Sequence, residues 1–179
     1  MATAIAEAAF MTGLERNADV VNMASYAPLF AHIDGWQWTP DLIWVNNIQS
    51  YGTPNYYVQK LYSTNKGTNV IPALLNGKAI TGQDSLYASA AIDKKTNEVI
   101  IKVVNASDKK QINNITLEGV KKIASKGLLT VLQSDDLNTM NTFDQPQNVA
   151  PKESPIEVKG KKILLNSAPY SFSVIRVKM

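Results

Sequence analysis

The chain has 179 residues, 45% of them hydrophobic and 18% charged, which allows one core of ordinary size, or one core with an appendage, and argues against disorder. It contains no cysteine, which excludes disulfide bonds and thiolate metal sites and leaves the redox compartment open. The formal net charge of +3 is divided unevenly, because residues 1–64 contain two basic and five acidic residues, a net −3, so the remainder carries +6.

Two helices are predicted in the first third of the chain. From Thr3 to about Arg16 the sequence is rich in alanine and other good helix formers, and its apolar residues recur at helical spacing. The second helix has clearer ends: Thr53 can cap it, Pro54 suits its first position, and Gly67 follows where a C-terminal cap belongs.

The segment between these helices contains two short apolar runs, VVNMASYAPLF and LIWV. Their length suits buried strands, although periodicity cannot distinguish such runs from buried helix, and we predict strands. A helix, apolar strands and a helix cannot close a barrel or a sheet by themselves. Several apolar residues of this region therefore need partners that the chain does not supply, which indicates a truncated parent: Val20, Val21, Met23, Leu29 and Phe30.

After Gly67 the apolar period changes to two. Val99, Ile101 and Val103 alternate with their neighbours between two turn sequences, as in a hairpin. Further strands are predicted at Leu86–Ile92, Gln111–Leu117, Gly127–Gln133, Ile163–Asn166 and Tyr170–Lys178. The spacing is that of an antiparallel sandwich. The stretch 134–161, with three prolines, is predicted to be a connection across the sandwich edge.

Several ordered segments resemble the family 51 α-L-arabinofuranosidases. AIAEAAFMTGLERNADVVNMASYAPLFAH, then WTPDLIWVNN and YGTPNYYVQKLYSTNKG, are similar to the end of the catalytic barrel in that family. Near the C-terminus, DDLNTMNTFDQPQNVAPKES and APYSFSVIRVK resemble the closing strands. The resemblance covers nearly the whole chain.

The resemblance implies a (β/α)8 barrel followed by an antiparallel β-sandwich of jelly-roll type. The expected fold class is α+β, mainly β, with residues 1–64 supplying the last barrel elements (α7, β8 and α8) and residues 65–179 the sandwich. Enzymes of this family remove terminal α-L-arabinofuranosyl residues from plant polysaccharides with retention of configuration. Retention requires two carboxyl groups about 5 to 5.5 Å apart, and in the family both lie on earlier barrel strands.

The chain's own carboxylates are therefore not assigned to catalysis. Glu7 and Glu15 lie in the first helix, which in a barrel is outside and away from the chemistry. Asp34 and Asp41 fall in the segment Ala31–Thr53, which is expected to join the last strand to the last helix at the catalytic face of the barrel. Both Asp residues are expected to shape turns, since they lie beside Gly35 or after Pro40.

Substrate contacts in the parent are a separate prediction. A furanose offers hydroxyl groups and a ring face, so its site needs amides and aromatic rings at the barrel mouth. The candidate residues from this segment are Asn46, Gln49, Tyr51 and Trp38, and Trp36 could also pack against a sugar. The family places one loop glutamine near the sugar, and both Gln37 and Gln49 fit that position. The competing interpretation is that the asparagines cap loops and the tryptophans fill a core.

Other classes of site have little support. His32 is the only histidine and has no partner residues for a metal or a proton shuttle, so we expect no metal and no cofactor.

No run of about 18 apolar residues occurs, so no membrane partner is expected. The opening MATAIAEAAF has no basic residue, unlike a signal peptide, and the compartment of the parent is left open. The paired lysines lie beside turn residues without interleaved arginines and aromatics, so no nucleic-acid partner is expected.

Two further hypotheses are kept. The first is a stand-alone carbohydrate-binding sandwich, whose platform would rely on four aromatic residues, Tyr87, Phe143, Tyr170 and Phe172, because all three tryptophans precede the sandwich. The second is self-association of the chain through apolar faces that have lost their neighbours in the parent. In the main hypothesis the partners are an arabinose-containing polysaccharide or oligosaccharide and the missing N-terminal barrel.

Overall fold

The computed structural model describes all 179 residues, with two α-helices and thirteen strands. The helices are α1 (Ala2–Arg16) and α2 (Pro54–Thr64). The strands are β1 (Phe30–His32), β2 (Ile43–Val45), β3 (Ser50–Gly52), β4 (Asn69–Ile71), β5 (Leu74–Leu75), β6 (Lys78–Ala79), β7 (Leu86–Asp93), β8 (Glu98–Asn105), β9 (Gln111–Thr116), β10 (Lys126–Gln133), β11 (Lys152–Lys159), β12 (Lys162–Ser167) and β13 (Ser171–Lys178). Neither helix is long and apolar enough to cross a membrane.

Both predicted helices are confirmed, and the second begins as expected. Pro54 is its first residue, and the Thr53 hydroxyl accepts a hydrogen bond from the Tyr56 backbone N–H at 3.4 Å. Gly67 was wrongly predicted to be the cap, because the helix ends at Thr64 with Asn65 as its C-terminal cap. Gly67 is required for a different reason: a Cβ there would lie 2.5 Å from the Ala91 Cβ.

A small three-stranded sheet lies between the helices in the sequence. β1 and β2 are parallel, with Ala31 opposite Trp44, and β2 and β3 are antiparallel, with Trp44 opposite Tyr51. The strand prediction for LIWV is therefore confirmed. The prediction for VVNMASYAPLF is wrong except at its end, because only Phe30 belongs to a strand, although the Leu29 carbonyl accepts a hydrogen bond from the Ile43 N–H of β2 at 3.0 Å.

The second part of the chain forms one curled antiparallel sheet of eight strands, in the order β4-β7-β8-β13-β10-β11-β12-β9. The sheet folds back on itself, so that β9 and β12 cover one face of its central strands. Side chains from both layers share a core there: Ala90, Val99, Ile101, Val103, Leu117, Ile156, Val158, Ile163, Leu165, Ile175 and Val177. The predicted sandwich is confirmed.

The two helices cover the other face of the same central strands. Their apolar sides share a second core with the sheet: Met1, Ala4, Ile5, Ala8, Val58, Leu61, Tyr62, Ile100, Val104, Leu132, Val149, Phe172 and Val174. Strands β8 and β13 are thus buried on both faces, which is why their sequences are apolar almost without alternation.

The predicted connection 134–161 contains a strand that was missed. β11 pairs with β10 from Lys152 to Glu157 and with β12 only at Val158 and Lys159. Pro155 lies opposite Leu128 of β10. A proline cannot donate to a ladder, and it is tolerated here because the other side of the strand carries no partner at that position.

Candidate functional site

Two of the candidate sugar-binding residues, Asn46 and Gln49, lie at one end of the small sheet. Because β1 and β2 are parallel, their carboxyl ends meet there, and the turn Asn46–Gln49 joins β2 to β3 at that end. The Asn46 side-chain oxygen accepts hydrogen bonds from the backbone N–H groups of Ile48 (2.9 Å) and Gln49 (2.6 Å). The Asn46 N–H in turn donates to the Gln49 carbonyl at 3.0 Å. Asn46 therefore shapes this turn.

Gln49 is exposed to solvent, as are Asn47 and Ile48 of the same turn. Its side-chain oxygen accepts a long hydrogen bond, 3.5 Å, from the Asn46 Nδ2. Its Nε2 has no hydrogen-bond partner within the chain, so both of its N–H groups are free for an external acceptor such as a sugar hydroxyl. Gln37, the other glutamine considered, is also exposed, in the irregular segment between β1 and β2.

The aromatic residues of this region differ in how much ring surface they offer. Trp44 is buried, and Trp36 packs edge-on against it with ring centroids 5.7 Å apart. Trp38 is 57% exposed and pairs with no other ring. Tyr51 packs edge-on against Phe143, 4.9 Å between centroids. Among the predicted contacts, Trp38 therefore has the ring most open to a ligand, while the ring of Tyr51 is half-buried.

His32, at the end of β1, takes part in the local hydrogen bonding. Its Nδ1 accepts from the Asp34 backbone N–H at 3.2 Å, and its Nε2 lies 3.4 Å from the Asn47 side-chain oxygen. The ring thereby links the segment after β1 to the turn after β2. No group of three or more His, Cys, Asp and Glu side chains is arranged to hold a metal ion.

The acidic side chains of this region have different surroundings. The predicted single loop Ala31–Thr53 is wrong, because β2 and β3 lie within it. Asp34 follows β1 at the end that carries the turn, whereas Asp41 precedes β2 at the opposite end. Glu7 accepts hydrogen bonds from the side-chain amides of Asn55 and Gln59 on α2. Glu7 thereby links α1 to α2 through its carboxylate.

Asp41 is an unusual carboxylate, because it is only 2% exposed and its Oδ2 has no hydrogen-bond partner. Burial raises the pKa of this carboxyl above its ordinary value. Tyr26, whose hydroxyl donates to the Pro40 carbonyl, is close enough to be affected by the same charge. Burial, followed by the negative charges of Glu7 and Asp41, raises the pKa of Tyr26 to about 12.

Asp41→Asn is expected to stabilise the protein at neutral pH, because the substitution removes the carboxylate charge whose burial raises the pKa of Asp41. Because the folded-state pKa of Asp41 is raised, the folded protein binds the proton more tightly than the unfolded chain. Its contribution to stability therefore falls as the pH rises from the unfolded value of 3.8 through the folded value. The measurement is urea denaturation of both proteins from pH 3.5 to 7. Equal stability at every pH would contradict the burial of a charged Asp41.

The chain is similar over nearly its whole length to known arabinofuranosidases. The profile of the α-L-arabinofuranosidase C-terminal domain matches residues 1–171. α-L-arabinofuranosidase 1 of Arabidopsis thaliana is 36% identical over 174 residues, which is 94% of this chain and 25% of the relative. α-L-arabinofuranosidase A of Aspergillus niger is 34% identical over 184 residues, 98% of this chain and 26% of the relative.

A solved structure agrees with these relatives. The arabinose-bound MgGH51 α-L-arabinofuranosidase superposes with a TM-score of 0.88 at 36% identity, over 98% of this chain and 27% of that one. The chain thus spans about a quarter of the length of the relatives it matches. The fold, the helical segment included, is shared across the matched region. The chain belongs to the C-terminal domain family of the family 51 α-L-arabinofuranosidases.

Proposed function

We propose that the chain is the C-terminal part of a retaining α-L-arabinofuranosidase that removes terminal arabinofuranosyl residues from plant polysaccharides. The observation that carries this proposal is the match of the C-terminal domain profile to residues 1–171, together with relatives that bear this activity in their names and are about four times as long. The catalytic carboxylates then belong to the rest of the protein.

The surroundings of the carboxylates support that assignment. Retaining hydrolysis needs a nucleophile and an acid/base about 5 to 5.5 Å apart, both reachable by substrate. Glu15 is paired with the buried Lys102, and Glu7 is held by two amides. Asp41 is enclosed, and Asp34 lies at the other end of the small sheet with its side chain largely in solvent.

The role proposed for this segment is to complete the barrel wall and brace it. Residues 1–64 would supply the last barrel elements, and residues 65–179 the sandwich behind them. Apolar side chains with no partner in the chain support this role: Met23 is 88% exposed, and Phe10, Val20, Leu29, Phe30 and Ile33 are also exposed. A second copy of the chain is the alternative cover for this surface, and a monodisperse monomer in light scattering would count against it.

In the whole enzyme, the turn Asn46–Gln49 and Trp38 would contribute to the sugar site. Gln49 would donate to a sugar hydroxyl through its free Nε2, and the exposed face of Trp38 would pack against the ring. Asn46 would act by holding the turn, and Tyr51 by supporting it, since the side-chain oxygen of the first and the ring of the second are already engaged.

The stand-alone carbohydrate-binding hypothesis is less well supported. Of its four platform residues, Phe172 is fully buried and stacks on Tyr62 at 5.1 Å. The Phe143 ring packs against Tyr51. Tyr87 and Tyr170 line an apolar groove beside α1. No flat row of exposed rings results, whereas sugar-binding sandwiches need ring faces open to solvent.

The test is hydrolysis of 4-nitrophenyl α-L-arabinofuranoside by the purified chain, with the full-length Aspergillus niger relative as positive control. We expect no turnover above the uncatalysed rate, because the catalytic pair is proposed to lie outside this chain. Turnover by the purified chain would place catalysis within it and overturn the proposal. The variants Asp34→Asn and Asp41→Asn would then show whether either carboxylate is responsible.

A further inference from the structure

The loop that joins β10 to β11 reaches out of the sandwich and contacts the small sheet. Its central residue is Asn141, which is 1% exposed. The Asn141 Nδ2 donates to the Val149 carbonyl at 3.0 Å, and its Oδ1 accepts from the Val149 N–H at 2.7 Å. The same Nδ2 donates to the Gly52 carbonyl of β3 at 2.8 Å. One side chain therefore closes the loop and binds the end of β3.

No strand of the small sheet uses the Gly52 carbonyl, because of the position of Gly52 in the β2–β3 ladder. The N–H groups of Thr53 and Asn46 bond across the β2–β3 hairpin to Leu42 and Gln49, so hydrogen-bonded pairs alternate with non-bonded ones. Gly52, opposite Ile43, falls in a non-bonded pair, and its carbonyl points away from β2. Asn141 supplies the donor that a fourth strand would otherwise provide.

Phe143, two residues further along the loop, makes the second contact. Its ring meets the Tyr51 ring edge-on, with centroids 4.9 Å apart and planes at 89°. Tyr51 lies opposite Trp44 in the hairpin, two residues after Gln49. The loop thus fixes consecutive residues of β3 by an aromatic contact and a hydrogen bond. Three-residue strands on an open edge have little stability of their own, so such outside support matters.

We propose that Asn141 and Phe143 are positioning residues of the sugar site. They hold β3, and β3 holds the turn Asn46–Gln49 in the geometry that presents the Gln49 amide. The sandwich then does more than brace the barrel, since its loop sets the affinity of the site for an arabinofuranosyl ring. The sugar part of this inference rests on the proposed function, whereas the positioning part concerns this chain alone.

The positioning part is tested without sugar, in the variants Asn141→Ala and Phe143→Ala. The backbone amides of Ile48 and Gln49, which bond to the Asn46 side chain, report on the turn through hydrogen exchange. Their exchange is expected to become about fivefold faster, the size expected for loss of one ordinary contact. All three tryptophans lie between residues 36 and 44, so their emission should also shift to the red.

Asn148→Ala is the matched control. Asn148 belongs to the same loop, and its side chain donates only to the Met140 carbonyl, at 3.2 Å, and makes no hydrogen bond to β3. It should leave turn exchange and emission unchanged. Phe143→Ala keeps the hydrogen bonds of Asn141, so it remains informative if Asn141→Ala disrupts the loop itself. Phe143→Tyr retains the ring and should restore wild-type exchange. Unchanged exchange of Ile48 and Gln49 in both alanine variants would overturn the positioning role.

The sugar part is tested in the full-length enzyme that is proposed to contain this chain, by measuring kcat and KM for 4-nitrophenyl α-L-arabinofuranoside in the same variants. We expect Asn141→Ala and Phe143→Ala to raise KM about fivefold and Asn148→Ala to leave it unchanged. Faster exchange in the chain with an unaltered KM in the enzyme would overturn the link between the turn and the sugar. A wild-type full-length enzyme that does not hydrolyse this substrate would instead overturn the proposed function.

Discussion

Lys102→Met is expected to lower the free energy of unfolding by about 3–5 kcal/mol, the range found when one partner of a buried ion pair is removed. The Lys102 side chain is 0% exposed and lies between the sheet and the helices. Its Nζ donates to Glu15 Oε1 at 2.5 Å and to the Asn65 carbonyl at 2.8 Å, and it lies 5.2 Å from the centre of the Tyr62 ring. Methionine keeps the apolar stem but leaves the Glu15 carboxylate without its cation. Urea denaturation at pH 7 measures the loss.

Two controls separate the buried charge from the loss of a lysine in general. Lys159→Met removes a lysine whose carboxylate partner, Glu157, is 3.9 Å away on the surface, and it should change stability by less than about 1 kcal/mol. The double variant Glu15→Gln with Lys102→Met removes both charges and should recover a large part of the loss. A Lys102→Met protein as stable as the Lys159→Met protein would show that the pair contributes nothing.

The helices and most of the sandwich strands, though not β4 and β11, were predictable because their signals are local. Thr53 and Pro54 define the start of α2 within two residues, and the turn sequences around β8 define its ends. The hairpin β5–β6 was missed although Asn76 and Gly77, at φ of 52° and 76°, form the two-residue turn that Asn-Gly favours. Its strands have two residues each, too few to show a period.

The errors have a common physical origin, which is that pairing partners are not visible in a single segment. Residues 20–27 have strand composition but belong to no strand in this chain. The β8 face that carries Lys102 is covered by α1 and α2, and Glu15 neutralises the lysine charge there, which the strand pattern alone does not indicate. Strand periodicity shows which faces of a segment are apolar, but it does not show which elements of the fold cover those faces.

The candidate site was predictable only where its residues are close together in the sequence. The amide-rich turn Asn46–Gln49 and the tryptophans are contiguous in sequence, so they could be identified as a group, and their contact with sugar stays a prediction. The support from Asn141 could not be identified, because it joins positions 89 residues apart through a single side chain. No local pattern marks such a residue, since a loop asparagine has the same sequence signature whether it binds its own loop or a distant strand.

Phe172→Ala is expected to cost about 3–5 kcal/mol, the usual range for truncating a fully buried phenylalanine. The Phe172 ring, on β13, stacks on the Tyr62 ring of α2 with planes 13° apart, in the core that the helices share with the sheet. Phe172→Leu, which keeps most of the volume, should cost less than about 1.5 kcal/mol. A loss of similar size in both variants would contradict a cavity effect.

The same variant tests the division of the chain at residue 64. Tryptophan emission follows residues 36–44, and circular dichroism in the far ultraviolet follows the sandwich strands. Because Lys102, Tyr62 and Phe172 join α1 and α2 to the central strands, we expect both signals to change at the same urea concentration in the wild-type protein. If Phe172→Ala separates the two transitions, residues 1–64 form a unit that the sandwich only holds in place, as a barrel fragment would. If the transitions stay together at a lower urea concentration, the helices belong to the fold of the sandwich itself.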